Sequence, residues 1–268
     1  MTKMLRLRWI STMGGAFAAT VIGIASAGAA ECPRKDALGT SRVLSVDAKT
    51  TPRVGLKSFP QTLPLADREV VLTFDDGPNP PTTSKVLAAL AQECVRATFF
   101  LIGQHAAQHP DMVKRIAREG HTIGHHTFSH PFMARLPLDK ATSEIERGIA
   151  ADEMALHGKS TTTPSTPFFR FPYFESTKEQ LDLLESRGIV VFGADLWASD
   201  WIEMTPEQQL KLVTDRLALA GKGIILFHDP KARTAAMMPA FLRHLQENRF
   251  RVVHVVPAAA PQKSTDAR

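Results

Sequence analysis

The residues of this 268-residue chain able to carry chemistry cluster in a few short segments. Thr73-Phe74-Asp75-Asp76-Gly77-Pro78 sets two carboxylates side by side. On a regular strand they would face opposite ways, but at a strand end followed by Gly-Pro the backbone turns and both reach one site. Such a pair divides labour, one carboxylate holding a metal and the other staying free as a base. Taken alone, the segment is equally an Asp-Gly turn. His126-Thr127-Phe128-Ser129-His130 offers two imidazoles at i, i+4, which a helical turn would point the same way. With one carboxylate they make a two-histidine, one-carboxylate site with open positions, zinc being the first choice among divalent ions. Surface histidines share this spacing, and His125 lies off the face of the pair as a supporting group.

Arg170 supplies a planar cation that holds a carboxylate, or else a sheet-end salt bridge. Tyr173 offers a backbone N–H to an oxyanion, or else a packed aromatic. At Ile225-Leu226-Phe227-His228-Asp229 an apolar strand ends in a histidine suited to general-acid work near neutral pH, or simply to capping the strand. His105, His109, His121, His157, His244 and His254 have no converging partners in the sequence and read as solvated or satisfied.

The elements that must position these groups follow from periodicity. Residues 31–68 show no clear period and several prolines, and read as an arm over the core or a linker. From Glu69, strand-length apolar runs alternate with amphipathic stretches. Strands are expected at 69–74, 97–102, 121–124, 167–171, 189–193, 223–227 and 250–255. Helices are expected at 82–93, 110–119, 138–157, 176–187, 205–220 and 234–247. Thr205-Pro206 is a cap followed by proline at the first helical position. Gly120, Gly158, Gly188 and Gly221 stand where helices should stop. This alternation predicts an α/β fold with about seven parallel strands curled into a barrel. Sites on such a barrel gather at the C-terminal strand ends, where all the segments above fall, together with Asp195 and Asp200 after the fifth strand. The tail, 257–268, is rich in Ala, Pro and Lys and is expected to fray.

Residues 1–30 carry Lys3, Arg6 and Arg8, no acid, and an apolar small-residue run ending in Ala27-Gly28-Ala29. They read as a secretory signal, the alternative being an uncleaved anchor. The chain's formal charge of +5 falls by those three cations on cleavage. The mature domain is then nearly neutral, which removes the main support for a nucleic-acid partner. No stable membrane insertion is expected after cleavage, and the product is expected to be exported, periplasmic or secreted. Cys32 and Cys94 could pair in an oxidising compartment. The apolar helical pattern around Cys94 favours two separate thiols instead.

The ordered set of TFDDG at 73–77, HTFSH at 126–130, RFPYF at 170–174, SDW at 199–201 and LFH at 226–228 resembles the polysaccharide deacetylase domain of carbohydrate esterase family 4 over roughly residues 69–256. The resemblance implies a distorted (β/α) barrel. It implies Asp75 as the general base that activates the attacking water, and Asp76, His126 and His130 as the metal ligands. It further implies Arg170 as the residue orienting Asp75, Tyr173 as the oxyanion contributor, and Asp200 as the carboxylate holding the acid His228. Trp201 and Leu226 would wall the pocket for the acetyl methyl group. The chain departs from the family pattern at His125, often Asn, and at Phe171 and Phe174, often Pro and Gly. A usual Asp is replaced by Trp197, with Asp195 two residues earlier.

The activity so implied is metal-dependent removal of acetyl groups from an N-acetylated, less readily O-acetylated, polysaccharide or oligosaccharide. One rival is a metal-dependent amidase on a small non-sugar amide, which a screen of glycans against small amides separates. Another is an exported glycan-binding protein without catalysis, which predicts a missing base, ligand or acid.

Overall fold

The structure is a computed structural model that describes residue 32 and residues 34–258. The expected leader, 1–30, and the tail beyond residue 258 lie outside these residues. In chain order the elements are β1 (Thr40–Val46), β2 (Arg53–Val54), β3 (Glu69–Asp75), α1 (Pro80–Gln92), β4 (Thr98–Leu101), α2 (Gly103–Gln108), α3 (Pro110–Arg118) and β5 (Thr122–His125). Then come α4 (Leu138–His157), β6 (Phe168–Phe169), α5 (Lys178–Ser186), β7 (Val190–Phe192), β8 (Leu196–Trp197), α6 (Pro206–Ala220), β9 (Gly223–His228), α7 (Ala232–Glu247) and β10 (Arg251–Pro257).

Every ladder is parallel. β9 pairs with β3, and the path continues through β4, β5, β6 and β7. Only residues 193–195 separate β7 from β8, and β8 pairs back onto β9. The β7–β8 segment therefore bends from one side of the sheet to the other and closes the ring. The result is an α/β fold built as a distorted barrel, with β10 and β1 added beside the start of β3 and β2 beside β7.

β3 is buried at every residue, as a parallel strand covered on both faces must be. Its alternation sorts the side chains. Val70, Leu72 and Phe74 pack outward among residues of α1 and α7, with the Phe74 ring stacked on Phe99 and Phe227 at centroid distances of 4.9 and 5.5 Å. Val71 faces the opposite way, among Phe100, Phe168 and Phe192. Thr73 and Asp75 follow it on the period of two and meet Arg170 inside the barrel. Thr177 and Thr205 each close a capping box, with Gln180 and Gln208, so α5 and α6 start where local sequence says they should.

Three expectations are corrected. Residues 31–68 are not a bare arm, since β1 pairs with β10 and β2 with β7 in the main sheet. Among the described residues the helices also include α2, which the periodicity missed. Cys32 and Cys94 are bonded, with Cα atoms 5.6 Å apart, and are not two thiols. α1 stops at Gln92, so Cys94, at φ 53°, lies past the helix and is free to turn its sulfur outward.

Candidate metal centre and active site

Asp75 ends β3, its carboxylate Oδ1 accepting a 2.7 Å bond from Arg170 Nη1. Arg170, just past β6, is wholly buried and gives three more of its N–H groups to Thr73 Oγ1 and to the carbonyls of Phe192 and Gly193. A buried guanidinium must be matched in this way, because one orphaned donor would cost on the order of 1–3 kcal/mol. Asp76 takes a left-handed φ of 71°, which breaks the alternation and brings a second carboxylate to the same side. The break is held from below. A Cβ at Gly77 would lie 2.4 Å from Asp229 Oδ2, so only glycine lets the turn sit on that buried side chain. Thr83 Oγ1 donates to the same oxygen and accepts the Asn79 N–H, tying the turn to α1. Burial pushes Asp229 up to about 7, against the hydrogen bond from Thr83.

His126 follows β5 and its Nδ1 lies 2.7 Å from the Arg170 carbonyl, which fixes the N–H there and leaves Nε2 with a lone pair. His130 comes from the loop beyond. Residues 126–130 are not the expected helical turn. Thr127 and His130 have φ of 67° and 59°, and it is this looped backbone that returns His130 to His126. Asp76 Oδ1 lies 3.4 Å from His126 Nε2 and 3.2 Å from His130 Nε2, and is buried with no hydrogen-bond partner. Three tetrahedral ligands about 2.0–2.1 Å from one ion would stand roughly 3.3 Å apart. The donor set thus fits a divalent cation in type and in spacing. Burial and the neighbouring His126 push His130 down to about 4, keeping it in the neutral, ligating form. Although burial opposes ionisation, the close approach of His126 and the neighbouring His228 and His130 hold Asp76 well below the usual carboxylate range. His105 Nδ1 lies 2.8 Å from the Asp76 carbonyl and braces the turn.

His228 ends β9. Its Nδ1 lies 2.7 Å from Asp200 Oδ1, and its backbone N–H and Thr234 Oγ1 both donate to Asp200 Oδ2. Burial works to lower the imidazole, but the bond to Asp200 and the charges of Asp200, Asp76 and Asp75 outweigh it and raise it to about 9. His228 Nε2 lies 3.8 Å from Asp76 Oδ2, across the cavity from the two other imidazoles.

Asp75, Asp76, His126, His130 and His228 line a cavity of about 560 Å³ together with Tyr173, Trp201 and Leu226, while the predicted Arg170 and Asp200 stand buried behind Asp75 and His228. Tyr173 is half exposed, its ring stacked on Phe132 at 4.1 Å and edge-on to His130. Trp201 meets the His228 ring edge-on at 5.8 Å. Leu226 is buried at the floor of the same wall. His125 has a separate role, 2.7 Å from the buried Asp152 of α4, whose carboxyl is raised by burial to about 6. Asp195 stays out of the site. It accepts from the Leu56 and Ile224 N–H groups and from Thr62 Oγ1, pinning the segment after β2. Sequence reasoning placed Asp229 after the sixth strand without giving it a role, and it missed Thr73, Asp152 and Lys231. Of these only Thr73 had a local signal, its place two residues before Asp75 on one strand face.

Comparison with known proteins is decisive here. The family model for polysaccharide deacetylase matches residues 63–192. The chitooligosaccharide deacetylase of a Bradyrhizobium species is 33% identical over 164 residues, 60% of this chain and 71% of that protein. The chain belongs to the polysaccharide deacetylase family. The peptidoglycan-N-acetylglucosamine deacetylase of Bacillus cereus is 40% identical over 138 residues, covering 52% of this chain and 48% of that protein. Among solved structures, the peptidoglycan deacetylase of Bdellovibrio bacteriovorus superposes with a TM-score of 0.73 at 31% identity, covering 84% of this chain and 61% of the other. The chain spans about half or less of the length of the first curated relatives it matches.

Proposed function

We propose that this chain is a divalent-metal-dependent hydrolase that removes acetyl groups from an N-acetylated polysaccharide or oligosaccharide and releases acetate. The observation that carries the reading is the Asp76–His126–His130 donor set with Asp75 beside it and His228 across the cavity. Asp76, His126 and His130 would hold a divalent cation, zinc first among the candidates, which when bound would supply Lewis acidity toward the acetyl carbonyl and the attacking water.

The remaining work falls to side chains. Arg170 occupies Asp75 Oδ1 and leaves Oδ2, 3.9 Å from His126 Nε2, as the base that takes the proton of the attacking water. The Tyr173 backbone N–H stabilises the oxyanion as the tetrahedral carbon forms. Trp201 and Leu226 enclose the acetyl methyl group. His228, charged and oriented by Asp200, gives its proton to the sugar nitrogen as the C–N bond breaks. The products are acetate and a free amino sugar. Both the Bacillus and the Bradyrhizobium relatives are named for acetamido-sugar substrates, which favours the amide over an O-acetyl ester and a glycan over a small amide.

Export is part of the same proposal. A basic, apolar, small-residue leader precedes a domain whose Cys32–Cys94 bond belongs to an oxidising compartment. Among the described residues no helix is long and apolar enough to cross a membrane.

The test is acetate release from chito-oligosaccharide and peptidoglycan glycans, against small amides and acetyl esters, with chelator and with zinc restored. Asp75→Asn should bind zinc as the wild type does yet lose turnover by about 10²–10⁴-fold. Wild-type turnover in that variant, or activity indifferent to chelator, defeats the reading.

A further inference from the structure

The cavity carries a cation that its own chemistry does not use. Lys231, the residue just before α7 and three after His228, is half-buried and lines the same cavity as Trp201 and His228. The carboxylates around it are already matched. Asp75 is held by Arg170, Asp76 by the two imidazoles and Asp200 by His228. Glu203 is taken by Arg233 at 2.9 Å. Among the described residues no carboxylate oxygen lies within 4.0 Å of Lys231 Nζ. A second ammonium, Lys57 Nζ, lies 5.2 Å from the centre of the Trp197 ring, which itself lines the cavity and meets Trp201 edge-on. Lys57, too, has no carboxylate within 4.0 Å among the described residues.

Building on the deacetylase reading, we propose that Lys231, supported by Lys57, determines specificity by selecting glycans that carry a carboxylate on the sugar next to the acetamido residue being cleaved. The flat walls of Trp197 and Trp201 suit the apolar face of a pyranose. The Lys231 ammonium lines the same cavity and can receive an acidic substituent of that ring, which a neutral chito-oligosaccharide lacks.

The test compares four substrates: a neutral chito-oligosaccharide, a peptide-free glycan alternating N-acetylglucosamine with its 3-O-lactyl acid, the same glycan with the lactyl acid reduced to the alcohol, and the glycan with peptides attached. The wild type should prefer the lactyl-acid glycan over its reduced form by about tenfold in kcat/KM, as expected for one charge-assisted contact. The preference should shrink with added salt. Lys231→Gln should collapse the ratio, Lys231→Glu invert it and Lys231→Arg retain it, while Lys57→Gln lowers it partway. A merely structural role for Lys231 would not change the ratio. Binding of the same glycans to the zinc-loaded Asp75→Asn enzyme reads the preference without turnover. Absence of acetate release from every glycan therefore sinks the deacetylase reading, while equal binding of acid and reduced forms sinks this one. A ratio unmoved by Lys231→Gln, or a preference seen only when peptides are attached, overturns the assignment.

Discussion

The sharpest test of the metal site lies in the middle of a helix, away from any ligand. Gly148 sits inside α4 against the loop that carries His126 and His130. A Cβ there would stand 2.6 Å from the Thr127 carbonyl carbon, 2.7 Å from its oxygen and 2.9 Å from Phe128 N. Ordinary contact begins near 3.4 Å, so Gly148→Ala forces the loop back by about 0.8 Å. The loop has little room to yield, because the Thr127 carbonyl accepts the Gly103 N–H and Phe128 N–H donates to the Glu144 carbonyl. Alanine should strengthen an isolated helix by up to about 1 kcal/mol, while overpacking costs about 1–3 kcal/mol. The net change leaves the fold standing. Metal donor sets, however, tolerate only about ±0.2 Å. The variant should therefore fold, lose little thermal stability without metal, and bind zinc at least 100-fold more weakly in a competition titration, with acetate release falling in step. Wild-type zinc affinity in a folded Gly148→Ala protein would refute the claim that α4 sets the loop.

Three further outcomes follow from the same geometry. On the proposed mechanism activity needs His228 protonated, so it should be lost as pH rises through that group's pKa. Asp200→Asn removes the main group raising it, and the alkaline limb of the pH–rate profile should move down by about two units, whereas an unmoved limb would clear Asp200 of this role. His254 is pushed down to about 4 by burial and by Arg96, and its Nδ1 is buried without a partner, so the fold loses stability as pH falls from about 6.5 toward 4. Relative to His254→Gln, the wild type should lose about 2 kcal/mol between pH 7.5 and 5 in urea unfolding, a difference in which Asp152 and Asp229 cancel; a constant gap would count against it. Cys32→Ser, or reduction of the wild type, opens a 62-residue loop and should cost about 4 kcal/mol; a loss below about 1 kcal/mol would mean the bond restrains little.

What could be read from sequence divides by the range of the interaction responsible. The seven strands from β3 onward, β8 aside, announce themselves as apolar runs because both faces of each are covered. β1 does not, since Thr40–Val46 alternates half-buried and exposed residues, with only Val46 buried, and mixes polar side chains among them. α2 is six residues long and opens on Gly103, too short for a period. The Cys32–Cys94 bond was hidden by extending the α1 pattern past its end at Gln92. The two histidines were found through their spacing but for an incorrect reason, since a helical turn and a left-handed loop can both bring i and i+4 together. Lys231 could not be found at all. Its significance rests on which carboxylates are already occupied, and those pairings join residues up to 95 positions apart.

The two adjacent aspartates show why the site nonetheless surfaced so plainly. Neighbours on a strand cannot both face the barrel interior, so a site needing both must end its strand between them. Asp75 stays on the inner face with Val71 and Thr73, where Arg170 can reach it, and Asp76 leaves the ladder at φ 71° to meet the imidazoles. A turn so tight against Asp229 then excludes any side chain at position 77. The Asp-Asp-Gly string is thus the cost of bringing two carboxylates from one strand end into one cavity. A simple Asp-Gly turn would require neither the buried arginine behind the first carboxylate nor the pair of bare nitrogens before the second.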